Sequence, residues 1–156
     1  MENSGTETLK VVLFQLNHET FGVPVDQVLS IERVPEMTRV PNTAEYVSGV
    51  MNLRGSVIPV IDVSLRLRMG RIKETKDTRI IVVDVGDFQV GLMVGSANEV
   101  IDIDPQSIEE TPDIVGGAEA RYIRGVAKKA DNLLILLNLK RVLNEEEVAE
   151  IKKIKV

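Results

Sequence analysis

Apolar positions along this chain fall in short blocks separated by polar turns: VVLF before NHET, FGVPV after it, then VIPVIDV, IIVV, VGLMV and LLILL. The blocks are rich in Val, Ile and Leu, are too short for buried helices, and are divided by Asn, Asp and Gly. That is the pattern of strands joined by tight turns. No helical period stands between the blocks to serve as a crossover, so small antiparallel barrels are expected rather than a parallel sheet.

The blocks recur. YVSGVMNLRGSVIPVIDVSLRL (46–67) lies without a gap on YIRGVAKKADNLLILLNLKRVL (122–143), an offset of 76 (122 minus 46). Tyr46 meets Tyr122, Gly49 meets Gly125 and Asp62 meets Asn138. Val57, Ile58, Val60 and Ile61 meet Leu133, Leu134, Leu136 and Leu137 and read as one buried strand present twice. VVLFQLNHETFGVPVDQVLSI (11–31) lies on IIVVDVGDFQVGLMVGSANEV (80–100), an offset of 69 (80 minus 11), with Gly22 on Gly91. The larger second offset places additional residues in DIDPQSIEETPDIVGGAEAR, which reads as an acidic loop.

The expected fold is therefore mainly β: two tandem five-stranded SH3-like barrels sharing a core, with a C-terminal helix. Residues 1–8 are expected to be a disordered tail, and 9–156 one domain built from lobes of about 9–76 and 77–143. The charged junction RLRMGRIKETKDT (66–78) reads as a solvated loop. A helix over 145–154 is expected because Asn144 can cap it, Glu147 can close a capping box, and Val148 with Ile151 forms an apolar stripe.

Composition narrows the chemistry. A net charge of -5 and five aromatic residues disfavour a nucleic-acid-binding barrel, which needs a basic face or stacking platforms. The same poverty in aromatics argues against a groove for proline-rich peptides. The chain has no cysteine and one histidine, His18, which reads as an exposed hairpin residue, so a Ser-His or Cys-His nucleophile could be built only there. Phosphate-cradling GxxxxGK[ST] and GxGxxG loops are missing, EETPD lacks the ligand spacing of a calcium loop, and no carboxylate is marked as desolvated. No catalytic residue, cofactor or metal is expected. The polar, acidic start MENSGTETLK and the lack of a long apolar run are those of a cytoplasmic protein. What remains is an aliphatic surface for another protein, with arginine as an anchor.

The run GVMNLRGSVIPVIDV (49–63), preceded by FGVPVDQVLSIERV and TRVPNTAEYVSGV, resembles the CheW family of bacterial chemotaxis adaptors. The resemblance extends from about Leu9 to the end. It implies two SH3-like barrels and no enzymatic activity. It also implies two partners, the cytoplasmic tip of methyl-accepting chemoreceptors and the CheW-like regulatory domain of a CheA-type histidine kinase, with recruitment to membrane receptor arrays. A chain of this length leaves no room for the further modules of CheA or CheV. A CheW-like scaffold in a non-flagellar chemosensory system is the alternative.

Carried over position by position, the resemblance makes Arg54 the first partner-binding candidate, with Gly49, Asn52 and Gly55 shaping its turn. Val28 and Ile31 match an apolar pair on the neighbouring strand, and Ile80 is a further candidate at the seam between repeats. Ser30 stands where relatives often carry an acidic residue, with Glu32 two positions on, and Gly95 stands where many have Asp. The repeat adds an independent reason for Arg54. In the second copy Ala130 occupies its place and Lys128 that of Asn52, so Asn-Leu-Arg-Gly is not needed to build the strands around it.

Overall fold

The computed structural model describes residues 8–86, 88–110, 114–115, 118–129 and 132–143; the expected helix over 145–154 and nearly all of the expected tail lie outside them. The chain runs β1 (Leu9–Leu16), β2 (Glu19–Pro24), β3 (Val28–Arg33), β4 (Val47–Leu53), β5 (Ser56–Asp62) and a short helix α1 (Val63–Arg66). The second half runs β6 (Arg79–Asp84), β7 (Gln89–Val94), β8 (Ser96–Ile103), β9 (Ile114–Val115), β10 (Ala118–Glu119), β11 (Ile123–Lys129), β12 (Asn132–Leu137) and α2 (Leu139–Val142). The repeat is thus real at the level of elements. Equivalent residues Asp62 and Asn138 cap α1 and α2, accepting the N–H groups of Leu65 and Arg141.

Ten of these strands form two five-stranded sheets. Sheet I has the order β11-β12-β2-β1-β8 and sheet II the order β4-β5-β7-β6-β3, while β9 and β10 pair only with each other. Each half of the chain therefore sends its first hairpin into the sheet of the other half. The boundary near residue 76 separates sequence repeats, not sheets, and lobes of 9–76 and 77–143 do not correspond to the sheets.

The exchange also corrects the expectation of purely antiparallel pairing. β12 runs parallel to β2 (Leu136 beside Gly22) and β5 parallel to β7 (Val60 beside Gly91), because each incoming hairpin reaches its neighbour after the chain has crossed from the other sheet. That crossing does the work expected of a crossover helix.

Each sheet curls until its two edges are linked. The segment after β3 returns to β4, where Thr38 and Val50 exchange backbone hydrogen bonds of 2.9 and 2.8 Å. The segment after β8 does the same on β11, with Glu109 and Val126 bonded at 2.8 and 3.0 Å. The stretch read as an acidic loop is thus partly structural: Asp104 caps a 3-10 turn at Pro105–Ser107, and Ile108 packs against the sheet interior.

Burial follows the curl. Met51, Ile58, Val60, Ile80, Val82 and Met93 fill the inside of sheet II, and Val11, Ile101, Ile103, Ala127, Leu134 and Leu136 that of sheet I. The opposite faces meet in a larger shared core around Phe14, Phe21, Ile61, Ile81, Leu92 and Ile135. Phe14 and Phe21 stack there, with ring centroids 5.7 Å apart. The shared core takes in Leu67, and Arg66 and Thr78 are buried, so the junction 66–78 is anchored at both ends rather than solvated throughout.

Candidate functional site: the β4–β5 turn and the outer face of β3

β4 and β5 are joined by two residues, Arg54 (φ 51°) and Gly55 (φ 88°), both in the left-handed region that a tight hairpin turn of matching twist requires. Gly55 adopts it freely. An arginine there costs on the order of 1 kcal/mol relative to glycine, and Asn or Gly would be the ordinary choice. Asn52 holds the turn from below: its Oδ1 accepts the Gly55 N–H at 3.1 Å.

The Arg54 side chain is 73% exposed, and its Nη2 lies 3.6 Å from Oε2 of Glu32 on β3. An ion pair this exposed contributes little to stability. It orients the guanidinium while leaving most of its fork of donors open to solvent. The acidic residue here is thus Glu32; Ser30 points inward, and its hydroxyl oxygen is buried with no hydrogen-bond partner among the described residues.

Along β3 the ladder to β6 slips between Val28 and Ser30, leaving Leu29 as an unpaired extra residue that projects outward. Leu29 is 51% exposed, Ile31 39%, and Val57, paired across the hairpin with Asn52, 50%. Sheet II thus keeps three large aliphatic side chains at its surface as well as an oriented arginine, residue types that recur at protein interfaces.

The structure separates the candidates named from sequence. Arg54, Asn52, Gly55 and Ile31 lie at the surface around the turn and β3. Val28 is only partly exposed and packs against the shared core. Gly49 and Ile80 offer no contact surface: Ile80 is fully buried inside sheet II, and a Cβ on Gly49 (φ +152°) would stand 2.6 Å from the Thr38 carbonyl oxygen. Gly49 admits the segment that closes the sheet.

Sequence reasoning does not single out Leu29, and it places Val57 in the buried strand. The repeat carries a usable signal. Among the described residues the other exposed large aliphatics are Val100 and Leu133, the repeat equivalents of Ile31 and Val57, on sheet I. Each sheet thus keeps an equivalent aliphatic pair at its surface.

No group of three His, Cys, Asp or Glu residues able to hold a metal occurs among the described residues. A cavity of about 670 Å³ borders Arg39, Glu45, Asp62, Arg71 and Glu74. Asp62, its buried carboxylate, is committed to the backbone N–H groups of Leu65 and Ile72, and Glu45 pairs with Arg71 at 3.7 Å.

Fold and surface together define a two-sheet β protein with an oriented arginine and exposed aliphatic side chains on its surface. Residues 10–147 match the family model of the CheW-like domain, and the chain belongs to that family. It is 37% identical over 137 residues to the chemotaxis protein CheW of Bacillus subtilis (strain 168), covering 88% of each chain. It is 33% identical to CheW of Rhizobium meliloti (strain 1021), covering 94% of this chain and 93% of that one. Protein FrzA of Myxococcus xanthus is 29% identical over 83% of this chain and 82% of its own. Among solved structures, the scaffolding protein TtCheW of Thermoanaerobacter tengcongensis superposes with a TM-score of 0.82 at 32% identity, covering 94% of this chain and 95% of that one. No helix among the described residues is long and apolar enough to cross a membrane.

Proposed function

We propose that this protein is a non-enzymatic adaptor that couples the cytoplasmic tip of membrane chemoreceptors to a CheA-type histidine kinase through the kinase's CheW-like regulatory domain. The observation that carries the reading is Arg54, held in a backbone region that does not favour it, mostly exposed, and carried on the sheet that also keeps Leu29, Ile31 and Val57 at its surface. A residue with that conformational cost and so little return in packing is explained by recognition. The repeat-related pair Val100 and Leu133 supplies a second apolar face on the other sheet, and an adaptor needs two.

In this reading, signalling involves no chemistry on the adaptor. Each face binds one signalling state of a partner more tightly than another, and that difference in affinity is what passes from receptor to kinase. Isothermal titration of the full chain with a receptor-tip fragment and with the kinase regulatory domain tests it. Saturable binding to both is expected, weakened by Arg54→Ala for at least one. Absence of binding to either cognate fragment overturns the reading.

A further inference from the structure

Near-symmetry between the two halves is broken by a charged residue at a buried position. Arg66, in α1 at the end of sheet II, has Val142, in α2 at the end of sheet I, as its repeat equivalent. Arg66 is 7% exposed. Its Nε donates at 2.8 Å to the backbone carbonyl of Val142, and its Nη1 donates at 2.8 Å to the hydroxyl of Tyr122, which precedes β11. The guanidinium also lies 5.3 Å from the ring centroid of Tyr46, which precedes β4, and 4.8 Å from that of Tyr122. These tyrosines are themselves repeat equivalents.

An arginine cannot shed its proton, so a buried guanidinium stays only where donors and faces are both matched. Here the matching groups come from both sheets. The exchanged hairpins already fasten the sheets through β1–β2 and β6–β7; Arg66 fastens their other ends, α1 to α2.

We propose that Arg66 is a positioning residue: by pinning α2 and Tyr122 against α1 and Tyr46, it sets the relative orientation of the two exposed faces, one on each sheet. It thereby governs simultaneous binding of two partners more than binding of either alone. This rests on the adaptor reading above, because an orientation between faces matters only to a protein that holds two partners together.

The test uses the full chain as wild type, Arg66→Met, Arg66→Lys and Tyr122→Phe. Receptor-tip fragment and kinase regulatory domain are titrated separately, then each in the presence of saturating amounts of the other. Hydrogen exchange is followed at the α2 amides. For Arg66→Met, separate affinities within about twofold of wild type are expected, together with faster α2 exchange and a loss of about tenfold in the second binding step. Arg66→Lys keeps the charge and should recover part of that loss. If Arg66→Met does not fold, Tyr122→Phe, which removes one hydrogen bond and keeps the ring, should show a smaller form of the same split. Unchanged joint binding, or equal losses in separate and joint binding, overturns the proposal while leaving the adaptor reading intact. A wild-type chain that binds neither fragment overturns both.

Discussion

Gly49→Ala separates a residue that closes the fold from residues proposed to contact partners. The added Cβ would lie 2.6 Å from the Thr38 carbonyl oxygen, at a φ of +152° that alanine tolerates poorly. Backbone strain of this kind costs on the order of 1–3 kcal/mol. Relieving the overlap moves Thr38 away and weakens its two hydrogen bonds to Val50, at about 0.5–1.5 kcal/mol each. Val34 and Met37, which lie on the same segment and cover the interior of sheet II, move with it. A loss of about 3–5 kcal/mol follows, a large share of the stability of a domain this size. Gly55→Ala is the control: φ is +88°, nothing lies within 4 Å of where its new methyl group would stand, and the expected cost is about 1 kcal/mol. Urea unfolding of the two variants, fitted as two-state transitions with a common slope, gives the difference directly. Equal losses would refute the closure argument and restore Gly49 as a candidate contact residue.

Three other substitutions probe the surface and its support. Arg54→Gly should leave folding unchanged or raise stability by up to about 1 kcal/mol, since it removes left-handed strain and forfeits only an exposed ion pair, while binding of at least one partner falls; a substantial drop in urea midpoint would make Arg54 structural. Leu29→Asp should change stability by less than about 0.5 kcal/mol because the side chain already faces water, yet reduce affinity for whichever partner Arg54→Gly affects; wild-type binding to both would remove β3 from the site. Ile80→Ala should do the reverse, costing about 2–5 kcal/mol through a cavity inside sheet II, with affinity retained by the folded fraction. Weaker binding without destabilisation would instead make Ile80 a contact residue.

Strands, turns and the repeat are legible in the sequence because each depends on local pattern: Val-rich blocks, Asn-His and Arg-Gly turns, and two tyrosine-led copies of one hairpin. Sheet membership is not. β1 and β6 carry equivalent apolar patterns, so nothing in either block says which sheet it enters, and the exchange is decided by long-range pairing such as Leu136 beside Gly22. The site is legible to the same degree. Arg54 stands out because one repeat has it and the other has Ala130. Leu29 is hidden because a bulge shifts the alternation of faces by one, and no periodicity in VLSIER announces it. Val57 and Leu133 escape because an aliphatic residue next to a buried strand looks the same in sequence whether it faces core or water.

The exchange of hairpins has a consequence for how such a protein can hold two partners. Two barrels built in sequence would be joined by one strand of chain and a modest interface, and relative motion between them would be expected. Here Phe14 and Phe21, carried on the hairpin of one half, are built into the sheet of the other and stack in the core between them, while Val90 and Leu92 do the reciprocal on sheet II. The sheets are thus joined by two chain crossings, β2 to β3 and β7 to β8, as well as by the shared core, so the surfaces that carry Arg54 on one sheet and Val100 and Leu133 on the other belong to a single cooperative unit. A scaffold without catalytic chemistry can pass on a signal only as a difference in contacts, and it can pass it between two faces only if they do not drift independently. The repeat gives each sheet an equivalent pair of exposed aliphatics, the exchange ties the sheets together, and Arg54 at the surface and Arg66 in the junction, opposite Ala130 and Val142, are two positions at which the halves differ.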